Sequence, residues 1–523
     1  MEKPGDTSSL GSDAVLGSMP SPGRARRLFS GWSASLFQMV LGVTQQVALI
    51  PVFLHFWSGE ILAAWLVIYA VGNLVLIADS GLQFRAINRF LAFKSCRDCD
   101  GRTAGFYAAL LRVYLGLGTF LAVLVLAAAQ LISPSVVFRF QGVADFDAAF
   151  LVMTAGMLLM LPSGLVAGLY RARGLYGRAI WLQSWGTLVG QVAQLVAIVV
   201  TGSLLAVTIA YVATQMLIAI YLLTIDASRL FPFLRGAGAK HSSRWIIGQF
   251  RKAMPFGIAG ATELVLLNLP VLLVSALVSD RVAVAQWGLT RVVAGLLRGL
   301  CVQITLPLAA ELGHDHAVGA TDRLRNLYAR GSVFVVVLAS AVVSGLLPFW
   351  PDFFSLWTHG AIPYDPALAI TLLIGTCAIS PAILALNYAS YSNRAALLVR
   401  AKGFQLAVFL ILSLLLIPPL GPLGAAVAIV TSDLSIQFGW LTSVIIRQTL
   451  RYPLRHVLFL AAVMIAIVLS GWGLGIAIRS AGPWTGPAHF VAECMLWLLV
   501  VAVAASPLAI EKVRDRLSAA IPR

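Results

Sequence analysis

The sequence predicts an all-α polytopic membrane protein. Of its 523 residues, 59% are hydrophobic and only 11% are charged, whereas a soluble domain has about 25% charged residues. Many apolar runs also reach the roughly 20 residues that a helix needs to cross a bilayer. A membrane β-barrel would instead show alternating segments of about ten residues.

The apolar runs predict about 14 transmembrane helices between two polar ends. Residues 1–28 are rich in Gly, Ser and Pro and are expected to form a disordered cytoplasmic tail, and residues 511–523 are expected to form a second cytoplasmic tail. The predicted spans are 29–56, 62–84, 105–130, 148–170, 179–201, 204–225, 253–279, 284–308, 330–350, 366–390, 397–418, 421–445, 457–478 and 489–510.

The distribution of basic residues predicts the orientation. With the N-terminus in the cytoplasm, three of the 37 Lys and Arg residues fall in outer loops and three inside spans. The outer three are Arg139, Arg281 and Arg479, and those inside spans are Arg112, Arg291 and Arg298. Because an excess of Lys and Arg marks cytoplasmic loops, we expect both termini in the cytoplasm. The net charge of +16 then requires no nucleic-acid partner.

The two halves of the chain repeat at a constant offset. Three short matches lie 219 residues apart: IPVFL at 50–54 with LPVLL at 269–273, Pro162 with Pro381, and GSLLA at 202–206 with GPLGA at 421–425. All three lie at corresponding positions of the predicted spans, which indicates an internal duplication.

The duplication predicts two parallel lobes. Each copy holds six spans, an even number, so both copies enter the membrane from the same side. We expect an N-lobe at 29–225, a cytoplasmic linker at 226–252, a C-lobe at 253–445 and two appended helices within 457–510. Two repeats of this kind around a midplane site are typical of transporters.

Two arginines inside the eighth predicted span indicate a cationic cavity. Arg291 and Arg298 are seven residues apart, so on a helix they lie within about 20° of one face and about 10 Å apart along the axis. A charge at the centre of a span costs about 2.5–3.5 kcal/mol on insertion scales, and Arg binds phosphate bidentately while staying charged. We therefore expect both residues to bind a phosphate-bearing or acidic substrate. The alternative is an intramembrane salt bridge that holds helices together.

Amide and phenol side chains are further candidates for the cavity wall. Gln183, Gln191 and Gln194 share one face of the fifth span, Gln45 lies in the first span, and Tyr388 lies near the end of the tenth. Such groups suit a hydroxyl-rich ligand such as a sugar. Hydrogen bonding between helices, worth about 0.6 kcal/mol for each bond, is the alternative role.

Three acidic residues inside spans are candidates for ion coupling or ion pairing. Glu263 lies in the middle of the seventh span, Asp433 in the twelfth and Asp79 near the inner end of the second. A buried carboxylate must be paired or protonated. Glu263 therefore either exchanges a driving ion or pairs with Arg291 or Arg298, and Asp79 is expected to be a helix-end or ion-pair residue.

No cofactor or metal site is predicted. The chain has no G-x-x-x-x-G-K-[ST] phosphate-binding loop. Its one C-x-x-C pair, Cys96 and Cys99, supplies two of the four ligands that a structural zinc site needs.

The second predicted span carries motifs of a known family. Residues 65–90, WLVIYAVGNLVLIADSGLQFRAINRF, open with Trp and contain D-x-G-L at 79–82, which resembles the second span of polysaccharide exporters. With the proline-bearing fourth and tenth spans and the plan of six, six and two helices, nearly the whole chain resembles the oligosaccharide-lipid flippases of the MATE-like multidrug/oligosaccharidyl-lipid/polysaccharide exporter superfamily. The chain departs from the pattern at Ser80, where the family has a bulky apolar residue.

The resemblance implies a MATE-like fold and a transporter rather than an enzyme. Family members flip undecaprenyl-diphosphate-linked O-antigen, capsule or exopolysaccharide units from the cytoplasmic to the periplasmic leaflet of the bacterial inner membrane by alternating access. Their cationic cavity corresponds to Arg291 and Arg298 here, and the appended helices are expected to provide a groove for the lipid tail. Ion-coupled export, contact with membrane lipids and association with polysaccharide polymerase or export machinery are further expectations.

Two other functions remain open from the sequence. One is a membrane enzyme of the same pathway, a polymerase or glycosyltransferase, for which the D-x-D at 145–147 is the sole motif. The other is a drug exporter of the same superfamily, although drug exporters favour cationic substrates and two arginines argue against that role.

Overall fold

The computed structural model describes most of the chain. The described residues are 37–38, 40–44, 47–79, 81–93, 101–173, 175–234, 243–392, 394–480 and 487–506. Throughout these ranges the secondary structure is helical, and they contain no strand.

The first set of helices covers the N-terminal half. They are α1 Leu49–Phe56, α2 Gly59–Val75, α3 Leu82–Phe93, α4 Arg102–Leu131, α5 Pro134–Val137, α6 Phe146–Leu159, α7 Pro162–Ala172, α8 Tyr176–Thr201, α9 Leu204–Ile220 and α10 Ala227–Leu230. A 3₁₀ turn, Leu76–Asp79, continues α2, and a π-helix, Tyr221–Asp226, joins α9 to α10.

The second set covers the C-terminal half. They are α11 Ser243–Leu277, α12 Val282–Val318, α13 Thr321–Thr358, α14 Pro366–Tyr391, α15 Ala395–Leu420, α16 Pro422–Ser432, α17 Ser443–Thr449, α18 Pro453–Ser480 and α19 Pro487–Ala505. A π-helix, Asp433–Thr442, joins α16 to α17. Both halves therefore contain a π-helical segment in the C-terminal part of their sixth predicted span.

Most predicted membrane spans are present. Within the described residues, 11 helices are long and apolar enough to cross a membrane, or 12 if α6 and α7 count as one span. These 12 correspond to the second to thirteenth predicted spans. At the first and fourteenth the described residues form shorter apolar helices, Val40–Phe56 and His489–Ala504. The all-α multi-pass membrane fold is confirmed, whereas the count of about 14 spans is not.

A glycine turn ends the second predicted span before residue 84. Gly81 has a φ of 74°, a conformation that glycine adopts without steric cost, and α3 begins directly after it. A Cβ atom at Gly81 would lie 2.4 Å from the backbone nitrogen of Gly257. The turn therefore packs directly against the backbone of α11, which hydropathy could not indicate because apolar residues continue beyond the turn.

The two matched prolines have different effects on their helices. Pro162 begins α7, and α6 and α7 meet at a bend of 42°, whereas Pro381 lies inside the continuous helix α14. Proline removes a backbone donor and crowds the preceding turn. Just before Pro162, the Leu161 N–H bonds to the carbonyl of Leu158, three residues earlier, at 3.3 Å. The fourth predicted span, 148–170, is thus a bent pair.

The helices of the C-terminal half extend well beyond their predicted ends. Between the eighth and ninth predicted spans a loop was expected over 309–329, but α12 continues to Val318 and α13 begins at Thr321. Only Gly319 and Ala320 separate the two helices, and Gly319 has a φ of 78°. The prediction was wrong because hydropathy detects only the part of a helix that crosses the hydrocarbon core. Polar residues beyond that core can continue the same helix into water.

The packing brings the two halves together around α2. This helix packs against α6 of its own half and against α11 and α12 of the other half. A Cβ atom at Gly288 on α12 would lie 2.6 Å from Leu66 Cδ1 on α2, so the glycine permits this close approach. The appended helix α18 packs against α13, and α19 packs against both α13 and α18.

The turn at Gly81 provides a test of the fold. We expect Gly81→Ala to lower the apparent melting temperature of the purified protein more than Gly101→Ala does. Both glycines have positive φ, 74° and 69°, so alanine at either costs about 1–2 kcal/mol in backbone strain. A Cβ at Gly101 meets no atom within 4 Å, whereas at Gly81 it meets the α11 backbone. Equal melting temperatures for the two variants would contradict the described packing of α3 and α11.

Candidate functional site

A cavity of about 610 Å³ lies between the two halves. Its walls come from α1, α2 and α8 on one side and from α11 and α12 on the other. Most lining side chains are apolar, and the polar or charged ones are Tyr69, Asn73, Gln194, Asn268, Arg291 and Gln303. No carboxylate belongs to this lining, as far as the described residues extend, so the cavity wall contains amides, one phenol and one cation.

The spacing of residues on α12 explains how this helix forms one wall. Gly288, Arg291, Gly295, Gly299 and Gln303 all line the cavity, and steps of three or four residues place them on one helical face. A Cβ atom at Gly295 or Gly299 would meet no atom within 4 Å. The two glycines therefore leave open space below Arg291 on the same wall.

Arg291 lines this cavity without a counter-ion. Within the described residues no carboxylate lies within ion-pair distance of its guanidinium, and the charged group closest along α12 is the like-charged Arg298. An unmatched charge in a region of low dielectric is costly. Its presence therefore points to a ligand that supplies the negative charge.

Arg298 is held differently, in a cluster of four charged side chains. Its Nη1 donates to Asp433 Oδ2 at 3.0 Å, and its Nη2 lies 3.7 Å from Glu263 Oε1. Lys402 Nζ donates to Glu263 Oε2 at a shorter distance than Arg298 reaches. We call Glu263, Arg298, Lys402 and Asp433 the four-charge cluster. It joins α11, α12, α15 and the π-helix after α16, and its formal charges sum to zero.

Two amides complete the cluster on the side of Asp433. Gln405 Nε2 and Gln437 Nε2 both donate to Asp433 Oδ1, the latter at 2.6 Å. Gln437 lies four residues after Asp433 within the π-helix, so this bond also holds that segment in place. Asp433 is thus bound by three donors, and both Glu263 and Asp433 have a basic partner in the structure.

Three other predicted site residues do not line the cavity. Gln191 is buried and donates through Nε2 to the Leu41 carbonyl at 2.9 Å, and the carbonyl of Gln183 accepts from the Thr187 hydroxyl. Tyr388 is 1% exposed and belongs to the core between α12, α13 and α14. The structure therefore places none of these three side chains on the cavity wall.

Two further predicted residues need separate description. Asp79 accepts a hydrogen bond from the Tyr114 hydroxyl and another from the Gln83 N–H at 3.4 Å, so it caps the start of α3 and joins it to α4. Gln45 lies outside the described residues.

Several residues of the site were missed from the sequence. Lys402 looks like one of the basic residues that flank a cytoplasmic loop, yet it is 5% exposed and pairs with Glu263 inside the C-terminal half. Gln303 lies 12 residues after Arg291 on α12, about 120° around the helix axis, so the spacing of the two residues did not indicate a shared wall. Asn73 and Asn268 are single amides in apolar runs and gave no periodic signal.

A second, apolar cavity of about 430 Å³ adjoins the first. It lies between α12, α13 and α19, and its lining includes Trp350, Phe353 and Trp497. Val292 and Leu296 on α12 line both cavities. The cavity that contains Arg291 and the apolar cavity therefore share part of the α12 wall.

Comparison with known proteins was made on sequence and on structure. No protein-family model and no curated protein sequence matches the chain. Among solved structures, it is similar to the lipid II flippase MurJ in an inward closed conformation, with a TM-score of 0.68, 12% identity, and coverage of 92% of this chain and 100% of that chain. It is also similar to an inward-facing multidrug resistance MATE family transporter of the MOP superfamily, with a TM-score of 0.61 at 14% identity over 83% of this chain and 98% of that one.

The chain has a MATE-like fold. The predicted MATE-like architecture and the resemblance to this superfamily are confirmed at the level of the fold, which is what likeness at these identities establishes. A third solved structure, a MATE transporter in complex with MaD5, has a TM-score of 0.52 at 15% identity, covering 83% of this chain and 97% of that one. The function of a MATE-like fold must be argued from its cavity.

The two arginines of α12 give a test of the described site. We expect Arg298→Gln to lower the apparent melting temperature clearly, because removing one partner of a buried ion pair costs about 3–5 kcal/mol. Arg291→Gln should leave the melting temperature unchanged or raise it, because it removes an unmatched charge whose insertion costs about 2.5–3.5 kcal/mol. Both variants make the same chemical change on one helix, so each is the control for the other. The opposite order of stability would contradict the assigned pairing.

Proposed function

We propose that this protein is a transporter that flips an undecaprenyl-diphosphate-linked oligosaccharide, an O-antigen, capsule or exopolysaccharide unit, from the cytoplasmic to the periplasmic leaflet. The observation that carries the proposal is the cavity between the halves, whose single cation, Arg291, has no counter-ion among the described residues. A diphosphate supplies the missing negative charge. The solved structure named as a lipid II flippase has the same fold, which supports a lipid-linked substrate.

The chemistry of the cavity wall suits a phosphorylated glycan. The Arg291 guanidinium offers planar donors that match phosphate oxygens. Asn73, Gln194, Asn268 and Gln303 offer amide donors and acceptors to sugar hydroxyls. Without such a cavity the head group could not cross the hydrocarbon, because burying unpaired charges and hydroxyls is costly.

The apolar cavity suits the lipid part of the same molecule. It lies directly across α12 from Arg291, and aromatic and aliphatic side chains line it almost completely. A prenyl chain in this cavity would lie beside α19, one of the two appended helices, while its diphosphate reached the polar cavity past Val292 and Leu296. This arrangement supports the expectation that the appended helices provide the tail groove.

Alternating access requires that the two lobes separate at one side, and a closed contact supports this mechanism. Arg281 Nη1 donates to the Phe138 carbonyl at 3.2 Å and to the Ser275 carbonyl at 2.8 Å. The Ser275 hydroxyl donates to the same Phe138 carbonyl at 3.2 Å, and the Arg281 guanidinium lies 5.6 Å from the Phe140 ring centroid. These bonds join the turn after α5 to the turn before α12, and we assign them to the closed periplasmic side.

The two acidic residues of the four-charge cluster are assigned to ion pairing. Because Glu263 and Asp433 are matched by Arg298 and Lys402, we do not assign them to binding a driving ion.

The asymmetry of basic residues supports cytoplasmic termini and an inner-membrane location, where polysaccharide polymerase or export machinery could receive the product. Export of cationic drugs is disfavoured because the described cavity wall carries a cation and no carboxylate.

Binding of a short prenyl diphosphate tests the proposed function. We expect Arg291→Gln to lower the affinity of the purified protein for farnesyl diphosphate by at least about tenfold, because a hydrogen bond to a charged group contributes about 1.5–3 kcal/mol and each 1.4 kcal/mol is a factor of ten. Isothermal titration calorimetry measures the affinity, and farnesol is the uncharged control ligand.

In cells that lack the protein, the lipid-linked glycan should accumulate in the cytoplasmic leaflet.

Arg112→Gln is the matched control variant for this experiment. Arg112 is an exposed residue of α4 and does not line the cavity, so its loss should leave the affinity unchanged. Equal binding of farnesol and farnesyl diphosphate, or an unchanged affinity in Arg291→Gln, would overturn the proposed function.

The Arg281 contact yields a second test, of alternating access. We expect Arg281→Ala to raise, by about tenfold, the rate at which a membrane-impermeant thiol reagent labels Asn73→Cys from the periplasmic side, because losing charged hydrogen bonds of this kind shifts a two-state equilibrium by about that factor. The labelling is measured in a background where the native cysteines are serine. Arg479→Ala is the control, because Arg479 binds Pro348 O and Asp352 within one half. Equal labelling rates in the two variants would contradict the proposed role of Arg281 in closing the periplasmic side.

A further inference from the structure

We propose that Arg298 is a movable second anion-binding group, which leaves the four-charge cluster to bind the second phosphate of the substrate, and that Lys402 is the counter-cation that permits this movement. The inference rests on the proposed function and deepens it, because it explains how a cavity whose described lining contains one cation, Arg291, would select a diphosphate.

The bonds of Arg298 to its two carboxylates are unequal. Nη1 lies 3.0 Å from Asp433 Oδ2, whereas Nη2 lies 3.7 Å from Glu263 Oε1, which is beyond hydrogen-bond distance. Glu263 is bound more closely by Lys402. Only the bond to Asp433 therefore holds Arg298 firmly in the cluster.

Each carboxylate keeps partners after Arg298 leaves. Glu263 retains the Lys402 ammonium, and Asp433 retains the amide donors of Gln405 and Gln437. A buried carboxylate with no donor would be strongly unfavourable, and this cluster avoids that state. After Arg298 leaves, the cluster has one net negative charge, but both carboxylates keep hydrogen-bond donors from Lys402, Gln405 and Gln437.

The cluster is partly exposed, and residues next to Arg298 on α12 line the cavity. The side chain of Arg298 is 21% exposed and that of Glu263 is 38% exposed, whereas Lys402 and Asp433 are 6% and 4% exposed. Gly295 and Gly299, which flank Arg298 in sequence, line the cavity and would meet no atom with a Cβ. A substrate phosphate can therefore approach Arg298 through the space beside these glycines.

The spacing of the two arginines fits a diphosphate. Arg291 and Arg298 lie about two turns apart on nearly the same face of α12, about 10 Å along the axis, and both side chains are long. If Arg298 extends towards Arg291, two guanidiniums converge on two adjacent phosphates. The bond from Arg298 to Asp433 joins α12 to the π-helix Asp433–Thr442. Substrate binding would break this bond and so separate the two segments.

The preference for diphosphate over monophosphate tests this inference. We expect the wild-type protein to bind farnesyl diphosphate about tenfold more tightly than farnesyl monophosphate, the factor that 1.4 kcal/mol gives. In Lys402→Met this preference should disappear, because Arg298 must then remain with both carboxylates. Lys402→Arg should keep the preference, and Lys402→Met combined with Glu263→Gln should restore it, because one cation and one carboxylate are removed together.

A second variant keeps the test decisive if Lys402→Met does not fold. Arg298→Met combined with Asp433→Asn removes one cation and one acid and leaves the Lys402–Glu263 pair intact. The inference predicts that this double variant loses the preference for diphosphate. A static cluster would leave the preference unchanged, and that result would overturn the inference.

The outcomes separate this inference from the proposed function. If the wild-type protein binds neither phosphate, or binds them independently of Arg291, the proposed function fails and the inference fails with it. If binding depends on Arg291 but the preference is the same in wild type, Lys402→Met and the Arg298→Met/Asp433→Asn variant, only the movement of Arg298 is refuted.

Discussion

The cost of an unmatched charge in a membrane interior governs this structure. Two guanidiniums lie one heptad apart on α12, and the chain treats them in opposite ways. Arg298 is matched by Asp433 and Glu263, which are matched in turn by Lys402 and two amides. Arg291 faces a cavity whose described wall contains no acid. Replacing Arg291 with an uncharged residue would be expected to increase the stability of the fold. Its presence at a cost in stability therefore indicates that the functional site lies at Arg291.

The fold places this charge at the meeting point of two different environments. On one face α12 contributes Arg291 and three glycines to a cavity with several polar side chains, which it shares with α1, α2, α8 and α11. Val292 and Leu296 extend the same wall into an apolar cavity that α13 and α19 complete. A molecule with a charged, hydroxylated head and a hydrocarbon tail matches this division better than a wholly polar or wholly apolar ligand does. The cavities thus argue for a lipid-linked substrate independently of any resemblance.

Sequence patterns predicted what depends on local composition and missed what depends on distant packing. Hydropathy located the second to thirteenth spans, because hydrocarbon thickness sets apolar length, but not the continuation of α12 into the expected loop. The sequence indicated the two arginines as candidates, yet their different partners could not be distinguished. Asp433 lies 135 residues from Arg298, and Lys402 lies 139 residues from Glu263. The glutamines of the fifth span share a face, but Gln191 uses its amide to bind the Leu41 carbonyl and only Gln194 reaches the cavity.

The most direct test of the central claim is an experimental structure of the protein with farnesyl diphosphate bound. The account predicts a phosphate group at charged hydrogen-bond distance from the Arg291 guanidinium, about 2.7–2.9 Å, with the prenyl chain directed past Val292 and Leu296 towards Trp497. A diphosphate bound elsewhere, with Arg291 paired to a carboxylate of the protein, would contradict it.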